Sequence, residues 1–153
     1  MGETVDLDLS LIFANLLRLV IAFILAFPVG WERATSARSL GMRTFPIVSV
    51  ASCGYMLIAT SLVGTNAEVQ ARVIQGLLGG IGFIGGGAIL KEGGNVRGLA
   101  TAASIWNTGA IGASVAFQRE EIAVVLSIIN FALLRLLTPL AERHSTTDEE
   151  ETG

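Results

Sequence analysis

Charge is what this sequence has least of. Only 15% of its 153 residues are Asp, Glu, Lys or Arg, against about 25% in a water-soluble domain, while 52% are apolar and 18 residues are glycine. The length allows one domain, and a soluble globule of that size would have to hide more apolar surface than its interior holds. The solvent this composition fits is therefore lipid. Carboxylates are nearly missing from the middle of the chain, and the formal charge of −3 comes mostly from the two ends, which argues against a basic nucleic-acid-binding surface. Cys53 is the one cysteine, so no intramolecular disulfide and no multi-thiol metal cage can form. A lone thiol inside an apolar run is most simply a small packing residue. His144 is the one histidine and falls in the polar tail, and no hydrolase or metal motif occurs. No catalytic residue, metal ligand or cofactor is assigned, and an enzyme is not expected.

What the chain has instead is long apolar runs. Crossing about 30 Å of hydrocarbon as helix takes some 18 to 22 residues, and five stretches qualify: Leu9–Gly30, Phe45–Val63, Val73–Leu90, Leu99–Phe117 and Ile122–Leu140. Without strand alternation, these predict an all-α, polytopic transmembrane helix bundle of five spans rather than a barrel. Arg33, Arg38, Arg43, Lys91, Arg97 and Arg143 fall on one side of that topology, and Arg72 and Arg119 on the other. The bias puts the C-terminus in the cytoplasm and a short acidic N-terminus, residues 1–8, outside. Its acidic start also excludes a cleaved signal sequence. The polar segment 141–153 reads as a disordered cytoplasmic tail with no regulatory domain after it.

Gly80-Ile81-Gly82-Phe83-Ile84-Gly85 matches the dinucleotide pattern G-x-G-x-x-G. That pattern needs a preceding strand and an acid about 20 positions on, where Ile105 and Trp106 stand. Packing explains the glycines better. At about 100° per residue, Gly76, Gly79, Gly80, Gly82, Gly86 and Gly87 share an arc of roughly 160°, with Val73, Leu77, Leu78, Ile81 and Ile84 opposite. A face that is nearly bare backbone lets another helix approach closely. The expected neighbour is the fourth span, where Ser104, Thr108, Gly112 and Ala116 repeat every four residues. Self-association of two copies accounts for the same face equally well.

Arg18 is the most informative residue. It lies near the centre of the first span, where insertion costs about 2.5 to 3.5 kcal/mol, and no Asp or Glu occurs in any of the five spans. Either the side chain snorkels to an interface, or it uses carbonyls, Asn107, Asn130, water or a carboxylate from another protein. Arg135, near the end of the fifth span, reaches the headgroups easily. Buried amides such as Asn107 and Asn130 usually bridge helices. Thr101, Ser104 and Thr108 line one face below Arg97, either as a polar crevice or bonded to their own helix. At the cytoplasmic surface the chain gathers Glu32, Arg33, Arg38, Arg43, Asn95 and Arg97. Glu32, directly after the first span, is placed to pair with Arg43 or Arg97. Arg18, Glu32, Arg33, Arg43, Asn95, Arg97, Thr101 and Asn107 form the candidate functional set.

Four ordered segments then resemble the MgtC/SapB family of bacterial inner-membrane proteins: Gly30-Trp-Glu-Arg33, Leu40-Gly-Met-Arg-Thr44, Arg72 followed by Gly80 to Ile89, and Asn95-Val-Arg-Gly-Leu-Ala-Thr-Ala-Ala-Ser-Ile-Trp106. Arg18-Leu19 with Ala22 fits the family's usual opening, so the likeness runs from about Leu16 to Leu140. It implies a membrane protein linked to growth in low magnesium and, in pathogens, to survival inside macrophages. It also implies that some members restrain the rotary ATP synthase by binding it in the membrane. Glu32, Arg43, Asn95, Arg97 and Thr101 occupy positions the family motifs mark as functional. The chain departs from the pattern at Ala34, Val69 and Ala100, and many relatives carry a soluble regulatory domain after the last span.

Two functions follow. One is a regulator that binds another membrane complex, with Arg18 meeting a partner's carboxylate. The alternative is a small magnesium or cation transporter, which is disfavoured because magnesium wants carboxylate and carbonyl oxygens in an octahedral array and the spans hold no carboxylate. Flux in proteoliposomes separates the two.

Overall fold

The computed structural model describes residues 8–36, 42–64, 66–92 and 95–151. The N-terminal stretch 1–7, Arg38 and the side chains of Asn95, Arg143 and His144 lie outside the described residues. The elements are helices α1 (Leu9–Ser36), α2 (Thr44–Val63) and α3 (Ala67–Gly87), strands β1 (Leu90–Glu92) and β2 (Asn95–Arg97), and helices α4 (Leu99–Ala116) and α5 (Glu120–Glu151). The chain is all-α apart from one small antiparallel hairpin, in which Leu90 stands opposite Arg97 and Lys91 opposite Val96.

Local chemistry sets the helix ends. Asp8 Oδ1 accepts from the Ser10 and Leu11 amides at 2.9 and 3.3 Å, which satisfies two of the donors a helix start leaves open. Asn66 does the same for α3 through the Val69 amide. Gly98 opens α4 at φ 89°, and a Cβ there would collide with the Ala88 carbonyl oxygen. The chain can leave the hairpin and enter α4 along this path only with glycine.

Three boundaries differ from the sequence reading. Helix α1 continues to Ser36 rather than stopping at Gly30, so Glu32 and Arg33 sit on a helix and not in a loop. Thr35 Oγ1 donates back to the Glu32 carbonyl at 2.9 Å, within that extra turn. Helix α3 ends at Gly87, because the next residues pair as strands instead of extending the span to Leu90. Helix α5 is bounded by Glu120 and Glu151, past the Leu140 limit read for the fifth span, and the side chains of the segment read as a polar tail, 141–153, lie outside the described residues.

Two helices, α1 over Leu9–Thr35 and α2 over Thr44–Val63, are long and apolar enough to cross a membrane. Over their described residues the other three helices do not meet that measure. Glycine fills α3, small and hydroxyl residues fill α4, and α5 carries Glu120, Glu121 and Arg135 along its described length.

Helix α4 is the centre of the assembly, packed against each of the other four helices and most extensively against α2. Nine of its residues are buried, against Ile81 and Gly85 alone in α3. The crossings of α4 with α2 and α3 need small residues. A Cβ on Gly112 would collide with the Ser49 carbonyl oxygen, and one on Gly109 with Ile81. Apolar side chains fill the two ends of the core, around Cys53, Met56 and Ile111 at one and around Val29, Phe45 and Ile105 at the other.

The glycine arc of α3 does not meet α4. Gly76, Gly79, Gly80, Gly82, Gly86 and Gly87 are exposed, with open space where a Cβ would stand. The opposite, apolar side of α3 makes the contact instead, through Ile81 and through Gly85, whose Cβ position lies 3.3 Å from the Ala102 carbonyl. Side chains such as Ile81 bring more contact atoms to a neighbour than bare backbone does. The stripe of Ser104, Thr108 and Gly112 turns toward α5 and α2 rather than α3. Helix α3 therefore stands between two open apolar grooves. One, of about 450 Å³, lies against α2 between Tyr55 and Gly80; the other, of about 490 Å³, lies against α4 and the start of α5, between Leu78 and Phe117.

Candidate functional site

The polar groups fall into three places. At the hairpin end of the bundle, Glu32 and Arg33 are 4% and 5% exposed. Glu32 Oε2 faces Arg135 Nη1 at 3.5 Å, a bond that ties α1 to α5. Arg135 is 68% exposed at its side chain, so solvent screens the pair and its net contribution is small. Sequence had left Arg135 to the headgroups and offered Arg43 or Arg97 to Glu32. Among the described residues neither Arg43 nor Arg97 makes a side-chain hydrogen bond or ion pair. A spacing of 103 residues hides the Arg135 partnership from any local pattern. Thr101 is buried in the first turn of α4, and Asn95 stands opposite Glu92 across the hairpin.

Between α4 and α5 lies a hydroxyl and amide seam. Asn107 Nδ2 donates to the Leu126 carbonyl at 3.3 Å, and Ser104 Oγ lies 3.0 Å from Asn130 Oδ1 and 2.8 Å from the Ala100 carbonyl. Thr108 Oγ1 donates to the Ser104 carbonyl within its own helix. A hydroxyl has one proton to give, so Ser104 can donate to only one of the Ala100 carbonyl and Asn130 Oδ1 at a time. Asn130 Nδ2 is buried with no hydrogen-bond partner among the described residues. Two further hydroxyls that sequence reading passed over join the same framework: Ser49 Oγ donates to the Ala22 carbonyl at 2.9 Å, and Ser127 Oγ to the Leu25 carbonyl at 2.6 Å. Their signal was available as isolated serines within apolar runs. The seam holds helices together, and in Asn107 it includes a residue first set among the partner-binding candidates.

Arg18 stands apart from both. It is half-buried on α1, within Coulomb range of the Cys53 sulfur on α2. Among the described residues it makes no hydrogen bond and no ion pair, with Asn107 and Asn130 engaged elsewhere. Only 11% of the most apolar stretch of α1 is buried, against 39% for α2. Phe23, Phe27 and Trp31 run along the open side with ring centroids 5.9 and 6.0 Å apart.

The G-x-G-x-x-G letters lie inside α3 with helix on both sides, which removes the strand-to-helix turn that phosphate binding needs. Among the described residues no group of three or more His, Cys, Asp or Glu side chains is placed to hold a metal ion. Residues 19–143 match the MgtC family. The chain belongs to the MgtC family. Protein MgtC of Brucella abortus strain 2308 is 36% identical over 121 residues, which cover 79% of this chain and 50% of that protein. Protein MgtC of Salmonella typhimurium strain LT2 is 34% identical over 133 residues, 87% of this chain and 56% of that protein. The chain thus spans about half the length of the curated MgtC relatives it matches. No solved structure matches it. Membership in the MgtC family, with two helices apolar enough to cross a bilayer, makes this a membrane protein.

Proposed function

We propose that this chain is a five-span protein of the bacterial inner membrane, N-terminus outside and C-terminus in the cytoplasm, that regulates another membrane complex by docking on it through α1. Arg18 carries the reading. Its guanidinium stays protonated in hydrocarbon, and a group that costs about 2.5 to 3.5 kcal/mol to insert finds no ion-pair partner among the described residues. A carboxylate on a partner completes it, and a desolvated pair of that kind is both strong and selective. The open side of α1, with its row of Phe23, Phe27 and Trp31, supplies the apolar contact that surrounds such a pair. Family resemblance makes the rotary ATP synthase the first partner to test. The orientation draws on the cations: Arg43, Lys91 and Arg97 collect at the hairpin end, and basic loops stay in the cytoplasm.

The test places a photo-crosslinking residue at Leu17, an exposed neighbour, and compares capture with Arg18 intact and with Arg18→Ala or Arg18→Lys. Truncating one member of a buried charge pair costs about 2 to 5 kcal/mol of binding, so Arg18→Ala is expected to abolish capture of the partner and growth in low magnesium together. Capture and growth unchanged in both variants would sink this mechanism.

A further inference from the structure

Beside the Glu32–Arg135 pair, the hairpin end carries exposed cations that differ from those of the opposite end. At the end away from the hairpin, each arginine has a carboxylate of its own: Arg72 Nη2 meets Glu68 Oε1 at 2.8 Å, and Arg119 Nε meets Glu121 Oε1 at 2.7 Å. At the hairpin end, Arg43, Lys91 and Arg97 are exposed and make no side-chain hydrogen bond or ion pair among the described residues. They belong to one corner, since Phe45, two residues after Arg43, and Ala88, just before the hairpin, join the same apolar cluster. Apolar side chains interleave with these cations: Leu90 stands opposite Arg97 and Val96 opposite Lys91, all exposed, with Leu99 exposed at the start of α4.

We propose that this corner, built by the β1–β2 hairpin and the start of α2, is a binding surface for the phosphate headgroups of anionic phospholipid in the adjoining leaflet. It rests on the reading that the helices cross a bilayer. Cations with apolar neighbours suit the boundary between headgroups and acyl chains, where the charge meets phosphate and the Leu and Val side chains meet hydrocarbon. A free anion or an acidic peptide uses the charge but leaves the apolar half uncovered. The surface is preorganised. The strands bond to each other, and Gly98, seated against the Ala88 carbonyl, fixes the hairpin on the ends of α3 and α4. The backbone that carries Lys91 and Arg97 is thus fixed, with one cation and one apolar residue on each face of the ribbon, which lowers the ordering cost of binding. At the opposite end, Glu68 and Glu121 already occupy the charges that a headgroup would seek.

The experiment uses the full chain in nanodiscs of phosphatidylcholine mixed with phosphatidylglycerol, and reads by native mass spectrometry which lipid stays on the released protein. The natural chain is expected to retain phosphatidylglycerol in preference. Each cation removed near a membrane surface is worth about a fivefold loss, so Lys91→Gln with Arg97→Gln should erase the preference, Lys91→Arg with Arg97→Lys should keep it, and Arg72→Gln with Arg119→Gln should leave it unchanged. Equal retention in the natural chain and the Lys91→Gln, Arg97→Gln variant overturns the proposal, as does an equal loss in the Arg72→Gln, Arg119→Gln variant. Displacement of phosphatidylglycerol by inorganic phosphate, at ionic strength matched with chloride, also overturns it by making this a free-anion site. Failure of the spanning reading looks different: cysteines placed in α3 and α5 would then label from water along their whole length.

Discussion

Helices α3 and α4 are both made largely of small residues, yet one is the centre of the molecule and the other is held along a single side. In α4 the small residues are mixed with Ile105, Ile111 and Val115, and four helices close around it. In α3 they form a glycine arc, shared with Gln75 and Phe83, where a Cβ would meet no neighbouring helix within 4 Å. A small residue permits close approach without supplying attraction. Attraction comes from the side chains and polar bonds beside it: Ser49, Ser104 and Asn107 at the α4 crossings, and Ile81 on α3.

The sharpest way to break this contrast is to add bulk to each helix. Gly112→Leu drives a side chain into the Ser49 carbonyl, and with overpacking costing about 1 to 3 kcal/mol or more the folded population in detergent should collapse, as read by thermal unfolding. Gly79→Ala and Gly82→Ala, with open space around both, should instead stabilise α3 by up to about 1 kcal/mol each through lower unfolded-state entropy. A loss there would mean that the arc is occupied. Asn107→Leu tests the polar share of the α4 contact. It removes the bond to the Leu126 carbonyl and should cost about 0.6 kcal/mol, the average for such bonds in a bundle.

The smallest effect separates helix starts. Asp8 has its pKa held below the ordinary carboxylate value by the Ser10 hydroxyl first, then the Leu11 and Ser10 amides. A depressed pKa means the cap is fully in place above the unfolded value and is lost as pH falls through the folded one. Acid should therefore fray the start of α1, seen by amide exchange at Ser10 and Leu11. The start of α3 should hold, because its cap is the neutral Asn66.

Much of this was legible in the letters, and the reasons for the rest are physical. Apolar runs located α2 and α4 to within a residue at each end. The run through Ile89 and Leu90 looked like more helix because strands of three residues carry too few positions for alternation to show. Periodicity grouped six glycines on one side of α3, and all six are exposed, but a repeat tells which residues share a face and says nothing of what that face meets. The bridging amide Asn107 followed from its residue type. The Glu32–Arg135 contact did not, because it depends on α5 lying beside α1, a neighbourhood set by tertiary packing and not by local pattern.

A helix gripped along one side has the least to give up when it moves. With Ile81 and Gly85 as its buried residues, α3 should be the first element to lose protection in native-state hydrogen exchange, well before α4. On the proposed five-span reading its glycine face would then meet acyl chains with few side chains to shield it, so whatever lipid or helix fills the space beside it should govern how fast it opens.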